Sequence, residues 1–118
     1  MILRLDAPLY YANALTIRDR AKTLIEEAEA LPRTVIFDAA AQDEIDLTST
    51  DTLKSLVKEL RAKNIMVYFA EVHAPIREFS RRTGLLELIG EDKIFPTVDA
   101  AVRFAEAHPE SLVEIPIK

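Results

Sequence analysis

Cysteine is absent from the 118-residue sequence, and glycine occurs only twice, as Gly84 and Gly90. The lack of cysteine excludes disulfides and thiolate metal sites, and it fits a reducing compartment. Neither glycine belongs to a glycine-rich turn between a strand and a helix. A Walker phosphate loop and a dinucleotide-binding fingerprint are therefore excluded.

Histidine is also scarce, and its arrangement favours neither metal binding nor catalysis. His73 and His108 are far apart, and neither has a second histidine at helical spacing. No thiol is present to complete a nucleophile or a zinc site. We therefore predict that the chain is not an enzyme and requires no metal or cofactor.

The sequence has no excess of basic residues and no long apolar run. Its 15 Lys and Arg residues are outnumbered by 20 Asp and Glu residues, which gives a formal charge of −5. This balance opposes binding to nucleic acid or to an anionic membrane surface. No apolar run reaches the roughly 20 residues that span a bilayer, and the start of the chain does not resemble a signal peptide. The 49% hydrophobic content predicts one soluble globular domain over residues 1–118, without membrane insertion.

Strand-like and helix-like patterns alternate along most of the chain. Runs of β-branched and apolar residues predict buried strands, and weaker alternation predicts edge strands. The predicted strands cover residues 2–5, 9–12, 34–37, 65–69, 93–95 and, as an edge strand interrupted by Pro116, 112–117. The alternation predicts an α/β fold, in which a mixed, mainly parallel sheet of four to five strands packs with about four main helices.

Apolar residues at helical spacing predict the four main helices. The first runs from Leu15 to Leu31, with Asn13 or Thr16 as its N-cap and Pro32 as its end. The second ends near residues 63–64, the third begins at Pro75 and ends at a left-handed Gly84, and the fourth follows Thr97 as N-cap and stops at Pro109. The predicted core consists of Leu24, Ile25, Val35, Ile36, Phe37, Leu53, Leu56, Leu60, Val67, Phe69 and Phe79.

The segment from Asp38 to Thr52 carries the densest polar chemistry of the sequence. Within it, residues 43–52 contain four hydroxyls and four carboxylates and lead into the second helix. Thr48 followed three residues later by Asp51 resembles a capping box. We therefore predict Thr48 as the N-cap of this helix, with Ser49 followed by Thr52 as a weaker version of the same pattern.

A functional role for the same segment is compatible with capping. Ligands of open α/β sheets lie outside the carboxyl ends of the strands, and amides at a helix N-terminus attract anions. Asp38 and Asp46 are predicted to orient the loop by accepting amide hydrogen bonds. The candidate regulatory or ligand site therefore consists of Asp38, Asp46, Thr48, Ser49 and Asp51, with Thr48 and Ser49 facing a ligand, a partner or a kinase.

This segment resembles the signature region of STAS domains. The residues that carry the resemblance are 35–38, followed after seven residues by 46–49. STAS domains occur in anti-sigma-factor antagonists and at the cytoplasmic end of SulP-type sulfate permeases, and members place an Asp, two hydroxyl residues and often a glycine here. The resemblance implies that Thr48 is the phosphoacceptor position, whereas Leu47 and Ser49 replace the first hydroxyl and the glycine.

Other parts of the chain resemble the permease branch of this family. Residues 6–13 look like the aromatic-rich stretch that introduces the first helix of permease STAS domains, and 76–85 and 94–101 look like later elements. The resemblance covers nearly all of residues 2–106. It implies that the chain is the C-terminal part of a larger transporter.

The resemblance also implies a function, a location and partners. The expected function is non-catalytic: a regulatory or interaction domain of a sulfate-type anion transporter, on the cytoplasmic side of the cell membrane. The expected partner is the transmembrane domain of that transporter, and a guanine or adenine nucleotide is a candidate ligand. The alternative is a free-standing anti-sigma-factor antagonist, which acts by phosphorylation-controlled protein binding.

Two further groups of side chains have a functional and a structural interpretation. Arg77, Arg81 and Arg82 could contact a transporter loop or a nucleotide phosphate, but a solvated helix face is the favoured explanation. Tyr10 and Tyr11 could stack on a base or a lipid. Adjacent strand residues point to opposite faces, however, so one tyrosine in the core and one on the surface is the simpler expectation.

Overall fold

The computed structural model describes residues 1–6, 14–42, 45–107 and 114–117. Strands and helices alternate within these ranges. The strands are β1 (Ile2–Leu5), β2 (Thr34–Asp38), β3 (Met66–Ala70), β4 (Ile94–Phe95) and β5 (Glu114–Ile117). The helices are α1 (Ala14–Glu26), α2 (Leu47–Ala62), α3 (Ala74–Thr83), α4 (Leu85–Ile89) and α5 (Val98–Ala105), and a short 3-10 turn precedes β4.

The five described strands form one sheet in the order β4-β3-β2-β1-β5, and each pairing between neighbours is parallel. This confirms the predicted α/β fold with a mainly parallel sheet. The first four strands follow one another in a single direction, and the connection from β4 to β5 reverses it. Because crossovers between parallel strands are right-handed, this reversal places α5 on the opposite face from α1, α2 and α4.

The two faces of the sheet carry separate apolar cores because successive strand residues point to opposite sides. On the larger side, Leu3, Val35 and Phe37 pack with α1, α2 and α4. On the other side, Ile36 and Tyr68 pack with α5. Along the described chain, no helix combines the length and the apolar composition that a bilayer crossing requires.

Three aromatic rings pack against one another on the side of the sheet that α5 covers. The ring of Tyr68 lies 5.4 Å from that of Phe95 and 5.6 Å from that of Phe104, both in edge-to-face geometry. Tyr68 is almost fully buried, and this burial raises the pKa of its phenol. The aromatic group therefore compensates for the small size of a core that a single helix covers.

Helices α1 and α2 lie side by side and are joined by ion pairs. The Lys22 Nζ is 2.8 Å from the Glu59 Oε2, and the Lys63 Nζ is 3.6 Å from the Glu26 Oε1. The hydrogen bond from Lys22 lowers the pKa of Glu59. On both helices the residue of the second ion pair comes later in the sequence than that of the first. The two helices therefore run parallel.

Helix α1 is shorter than its apolar pattern predicts. It ends at Glu26, and Leu31, which was assigned to its apolar face, is 53% exposed. Glu26, Glu27 and Glu29 place negative charge where the helix dipole is negative, which disfavours continuation to Pro32. Thr16 lies inside the helix and is not its N-cap. The alternative cap, Asn13, and the strand predicted at 9–12 lie outside the described residues.

Other boundaries and core positions are close to the prediction. Thr97 caps α5 by accepting a hydrogen bond from the Ala100 amide at 3.0 Å, as predicted. Gly84 is left-handed, with φ 85°, but it joins α3 to the unpredicted α4. Leu24 and Phe79 are only partly buried, whereas the remaining predicted core residues are buried.

Candidate functional site

The candidate site lies at the carboxyl ends of the strands, where β2 leads into α2. Asp38 is the last residue of β2, and Asp46 immediately precedes α2. Thr48, Ser49 and Asp51 lie in the first turns of that helix. The structure therefore gathers four of the five predicted residues around one helix N-terminus and places Asp38 at the start of the loop that leads to it.

Asp46, not Thr48, is the N-cap of α2. The Asp46 backbone is extended, and its Oδ1 accepts a hydrogen bond from the Ser49 amide at 2.7 Å. Its carbonyl oxygen accepts hydrogen bonds from the Thr50 amide and the Thr50 hydroxyl, both at 3.0 Å. The prediction of Thr48 as the cap is therefore wrong, because the helix already begins at Leu47, one residue before it.

Thr48 instead presents its side chain to solvent on the first turn of the helix. Its carbonyl oxygen accepts a hydrogen bond from the Thr52 hydroxyl at 3.1 Å. Leu47 and Asp51 are exposed on the same turns, and Leu47 is 59% exposed although it is a large apolar residue. On the outer surface at the start of α2, the Thr48 hydroxyl therefore lies between the aliphatic side chain of Leu47 and the carboxylate of Asp51.

Ser49 is enclosed although it is adjacent to Thr48. It is fully buried, and its hydroxyl has no hydrogen-bond partner among the residues that the structure describes. A buried hydroxyl without a partner costs free energy. Of the two hydroxyls predicted to face a ligand, only Thr48 is on the surface.

The loop after β2 is tied down by hydrogen bonds to three elements. The Asp38 Oδ1 accepts a hydrogen bond from the Ala40 amide at 3.0 Å, so both Asp38 and Asp46 accept amide hydrogen bonds as predicted. The buried Gln42 donates from its Nε2 to the Leu5 carbonyl at 2.8 Å. The His73 Nε2 lies 2.8 Å from the Ala40 carbonyl oxygen and joins this loop to the start of α3.

Gln42 and His73 were not predicted as parts of the site. Gln42 stands in a polar stretch without periodicity, so nothing in the sequence marks it as buried. His73 was considered only as a metal ligand or catalyst, and its pairing with a loop carbonyl depends on the tertiary fold. Within the described ranges, no group of three or more His, Cys, Asp or Glu residues is placed to hold a metal ion.

The edge of the sheet around the site is anionic. Glu71 follows β3 with a left-handed φ of 61°, and its amide donates to the Phe95 carbonyl at 3.2 Å. Asp38, Asp51 and Glu71 take part in no ion pair with any described residue. The site therefore favours a cationic partner over an anionic ligand.

The three arginines of α3 have separate environments. Arg81 pairs with Glu78 at 2.6 Å and with Glu91 at 3.8 Å, and the Arg82 guanidinium lies over the Phe79 ring at 5.9 Å. Arg77 lines a small apolar cavity of about 30 Å³. That volume suffices for roughly two water molecules, so the cavity is too small for a nucleotide. The tyrosine pair at positions 10 and 11 lies outside the described residues.

Comparison with known proteins identifies relatives of most of the chain. Residues 1–101 match the family model of the STAS domain. A probable sulfate transporter of Mycobacterium tuberculosis is 38% identical over 103 residues, which is 87% of this chain and 18% of the relative. Sulfate transporter 3.2 of Arabidopsis thaliana is 30% identical over 110 residues, which is 86% of this chain and 17% of the relative. The chain spans less than a fifth of the length of these relatives.

Solved structures share the fold of the chain. The STAS domain of a SulP transporter from Vibrio cholerae superposes with a TM-score of 0.73 at 17% identity, over 90% of this chain and 80% of that one. The murine anion transporter Slc26a9 in its inward-facing state gives a TM-score of 0.80 at 22% identity, over 91% of this chain and 18% of that one.

Proposed function

The chain belongs to the STAS domain family, and we propose that it is the non-catalytic regulatory and interaction domain of a sulfate-type anion transporter. It would lie on the cytoplasmic side of the membrane and bind the transmembrane part of that transporter. The observation that carries this proposal is the exposed start of α2, where Thr48 lies beside Leu47 and Asp51. The relatives that are sulfate transporters support this choice of partner.

The site is suited to binding because hydrogen bonds hold its framework in place and its outer surface is exposed. The N-cap Asp46 fixes the first turn of α2, and His73 and Gln42 fix the preceding loop. A rigid surface loses little conformational entropy when a partner binds. Changes on this surface would therefore alter affinity for the partner without altering the fold.

Thr48 is the residue through which such binding would be regulated. Its side chain is accessible to a kinase, and a phosphate would bring about two negative charges to the positive end of a helix. The same charges would lie close to Asp46 and Asp51. Because the helix end favours the added charge and the carboxylates oppose it, phosphorylation would change partner binding more than stability.

Nucleotide binding stays a separate proposal. The anionic edge opposes a phosphate group, and the cavity beside Arg77 is too small for a base. A guanine or adenine nucleotide would therefore bind weakly and would not be hydrolysed, since no phosphate loop is present in the sequence. Titration of GTP and ATP into the purified chain, followed by a phosphate-release assay, tests both statements.

The regulatory role is tested in a chimera. In the Mycobacterium tuberculosis sulfate transporter, the segment aligned with this chain is replaced by the chain, and sulfate uptake is measured in cells that lack their own uptake. We expect the chimera to transport sulfate, deletion of the segment to reduce uptake, and Thr48→Glu to change it. Ser55→Glu is the matched control, because it adds the same charge at an exposed position two turns along α2.

Two outcomes would contradict the proposal. One is uptake that does not depend on the inserted chain or on its Thr48 variants at equal membrane abundance. The other is capture of an anti-sigma kinase by the purified chain, which would favour the alternative of a free-standing antagonist. Thr48 would be the phosphoacceptor in either case, so its phosphorylation alone does not distinguish the two functions.

A further inference from the structure

Two exposed leucines lie at the amino ends of neighbouring helices. Leu15, near the start of α1, is 55% exposed, and Leu47, the first residue of α2, is 59% exposed. Both helices begin at the edge of the sheet where the strands end. Isolated exposed leucines are ordinary, but two on adjacent helix starts form part of one surface.

The ion pairs between α1 and α2 fix how these residues are aligned. Lys22 is level with Glu59, and Glu26 is level with Lys63. Because the two helices are parallel, the residues that precede these pairs by equal numbers are also level, and Leu15 is level with Thr52. Leu47 therefore lies about 7.5 Å further along the axis of α2. With helix axes 8–10 Å apart, the two leucines are separated by roughly 12 Å.

Helical periodicity also fixes which sides these residues occupy. Leu15 lies two turns from Lys22 on the flank of α1 that faces α2, and Thr48 lies three turns from Glu59 on the facing flank of α2. Leu47 and Asp51 share the adjoining side of α2, four residues apart. The surface at the amino ends of the two helices thus carries Leu15, Leu47, Thr48 and Asp51, and it is here called the edge patch.

The charge around the edge patch is negative. Asp51 belongs to it, and Asp38 and Glu71 lie at the same edge of the sheet, each outside any ion pair with the described residues. The nearby Arg18 forms an ion pair with Asp19, and its Nη2 lies 3.0 Å from the Asp19 Oδ1. A partner that neutralises this surface must carry lysine or arginine.

We propose that the edge patch is the docking surface for a lysine- or arginine-rich amphipathic helix from the cytoplasmic side of the transporter's membrane part. Apolar residues at i and i+7 of a helix are about 10.5 Å apart, which matches the separation of Leu15 and Leu47. Cytoplasmic segments of membrane proteins are enriched in Lys and Arg, which complements the carboxylates. This inference rests on the proposed function and adds the chemistry of the partner.

The test uses synthetic peptides that cover the stretches between the membrane spans of the Mycobacterium tuberculosis sulfate transporter. They are titrated into the isotope-labelled chain, and amide shifts are followed by NMR. We expect a basic peptide to shift the signals of Leu15, Leu47 and Thr48, and its affinity to fall as salt is raised. A version with glutamate in place of its basic residues should not bind.

Variants of the chain sharpen this test. Leu47→Ser and Asp51→Lys should each weaken peptide binding by about tenfold, the effect of removing a central contact. Leu31→Ser is the matched control, because Leu31 is equally exposed but lies at the other edge of the sheet, before β2. Its binding should equal that of the unchanged chain.

The possible results separate this inference from the function on which it rests. Absence of binding by every peptide, or equal effects of Leu47→Ser and Leu31→Ser, would overturn the docking surface. So would self-association of the chain that Leu47→Ser abolishes, because the patch would then bind a second copy. In the chimera, uptake that depends on the chain but ignores Leu47→Ser and Asp51→Lys overturns the inference and leaves the regulatory function intact.

Discussion

Arg61 of α2 donates from its guanidinium to the backbone carbonyl of Ile89, the last residue of α4, at 2.8 Å. The same guanidinium also donates to the Leu88 carbonyl, and Lys54, two turns earlier on α2, donates to the Thr83 carbonyl at the end of α3. The last carbonyls of a helix have no partner within it and carry partial negative charge. Helix α2 therefore stabilises the carboxyl ends of two other helices with its own cations.

Replacing Arg61 with methionine should destabilise the chain. Arg61→Met keeps an aliphatic side chain but removes the donors to two helix-end carbonyls, so we expect a loss of about 1–2 kcal/mol in the free energy of unfolding. Lys58→Met is the control, since Lys58 is exposed on the same helix and pairs with no described residue. Urea denaturation measures both. Equal stability of the two variants would contradict the role of Arg61.

The N-cap assignment leads to opposite results for two neighbouring positions. Asp46→Ala removes the oxygen that accepts the Ser49 amide, and it should cost about 1 kcal/mol. Thr48→Ala should change stability by less than about 0.5 kcal/mol, because Thr48 is an exposed helical residue. Thermal unfolding of both variants at pH 7 checks this. A larger loss of stability for Thr48→Ala than for Asp46→Ala would indicate that Thr48 is the N-cap.

The buried hydroxyl of Ser49 should be dispensable for stability. Ser49→Ala removes a polar group that has no partner in the described part of the chain and raises helix propensity, so we expect stability to rise by up to about 1 kcal/mol. Thr50→Val should lower it by about 1 kcal/mol, because the Thr50 hydroxyl bonds to the Asp46 carbonyl. Chemical denaturation of the two variants measures both changes in stability. Destabilisation by Ser49→Ala would mean that its hydroxyl is engaged.

The stability of the chain should fall at alkaline pH through Tyr68. Burial raises the pKa of its phenol above that of the unfolded chain, which is about 10. The contribution of the neutral phenol is therefore complete below about pH 10 and is lost as the pH rises through the folded-state pKa. Urea midpoints measured from pH 8 to 11 should fall more steeply for the unchanged chain than for Tyr68→Phe. Parallel curves would contradict this, since the other tyrosines are common to both proteins.

The sheet could be predicted from sequence because its central strands have an unambiguous pattern. Val35 to Phe37 and Val67 to Phe69 are apolar at successive positions, which only burial on both faces explains. The caps were harder to place. Asp46 with Ser49 and Thr48 with Asp51 are overlapping patterns of the same kind, and local chemistry does not choose between them. The choice depends on how far α2 extends when it packs on the sheet.

Two other features of the fold depend on contacts between distant residues. Helix α4 is only five residues long and follows directly on Gly84, so it has no periodicity of its own, and its carboxyl end is stabilised from α2. The enclosure of Ser49 and Gln42 likewise arises from neighbouring elements. The loop could be located from sequence, but the distinction between its exposed Thr48 and its buried Ser49 required the structure.

The neighbour relation between β1 and β5 has a consequence for synthesis of the chain. These strands pair although they are about 110 positions apart in sequence. When the ribosome has completed α5, β1 can pair with β2 on one side, but its other side still presents unpaired backbone groups. Such an open edge is a template for a strand from another nascent molecule. Strand β5 therefore closes an edge of β1 that would otherwise pair with another molecule, and the interval between the synthesis of α5 and that of β5 leaves this edge open to aggregation.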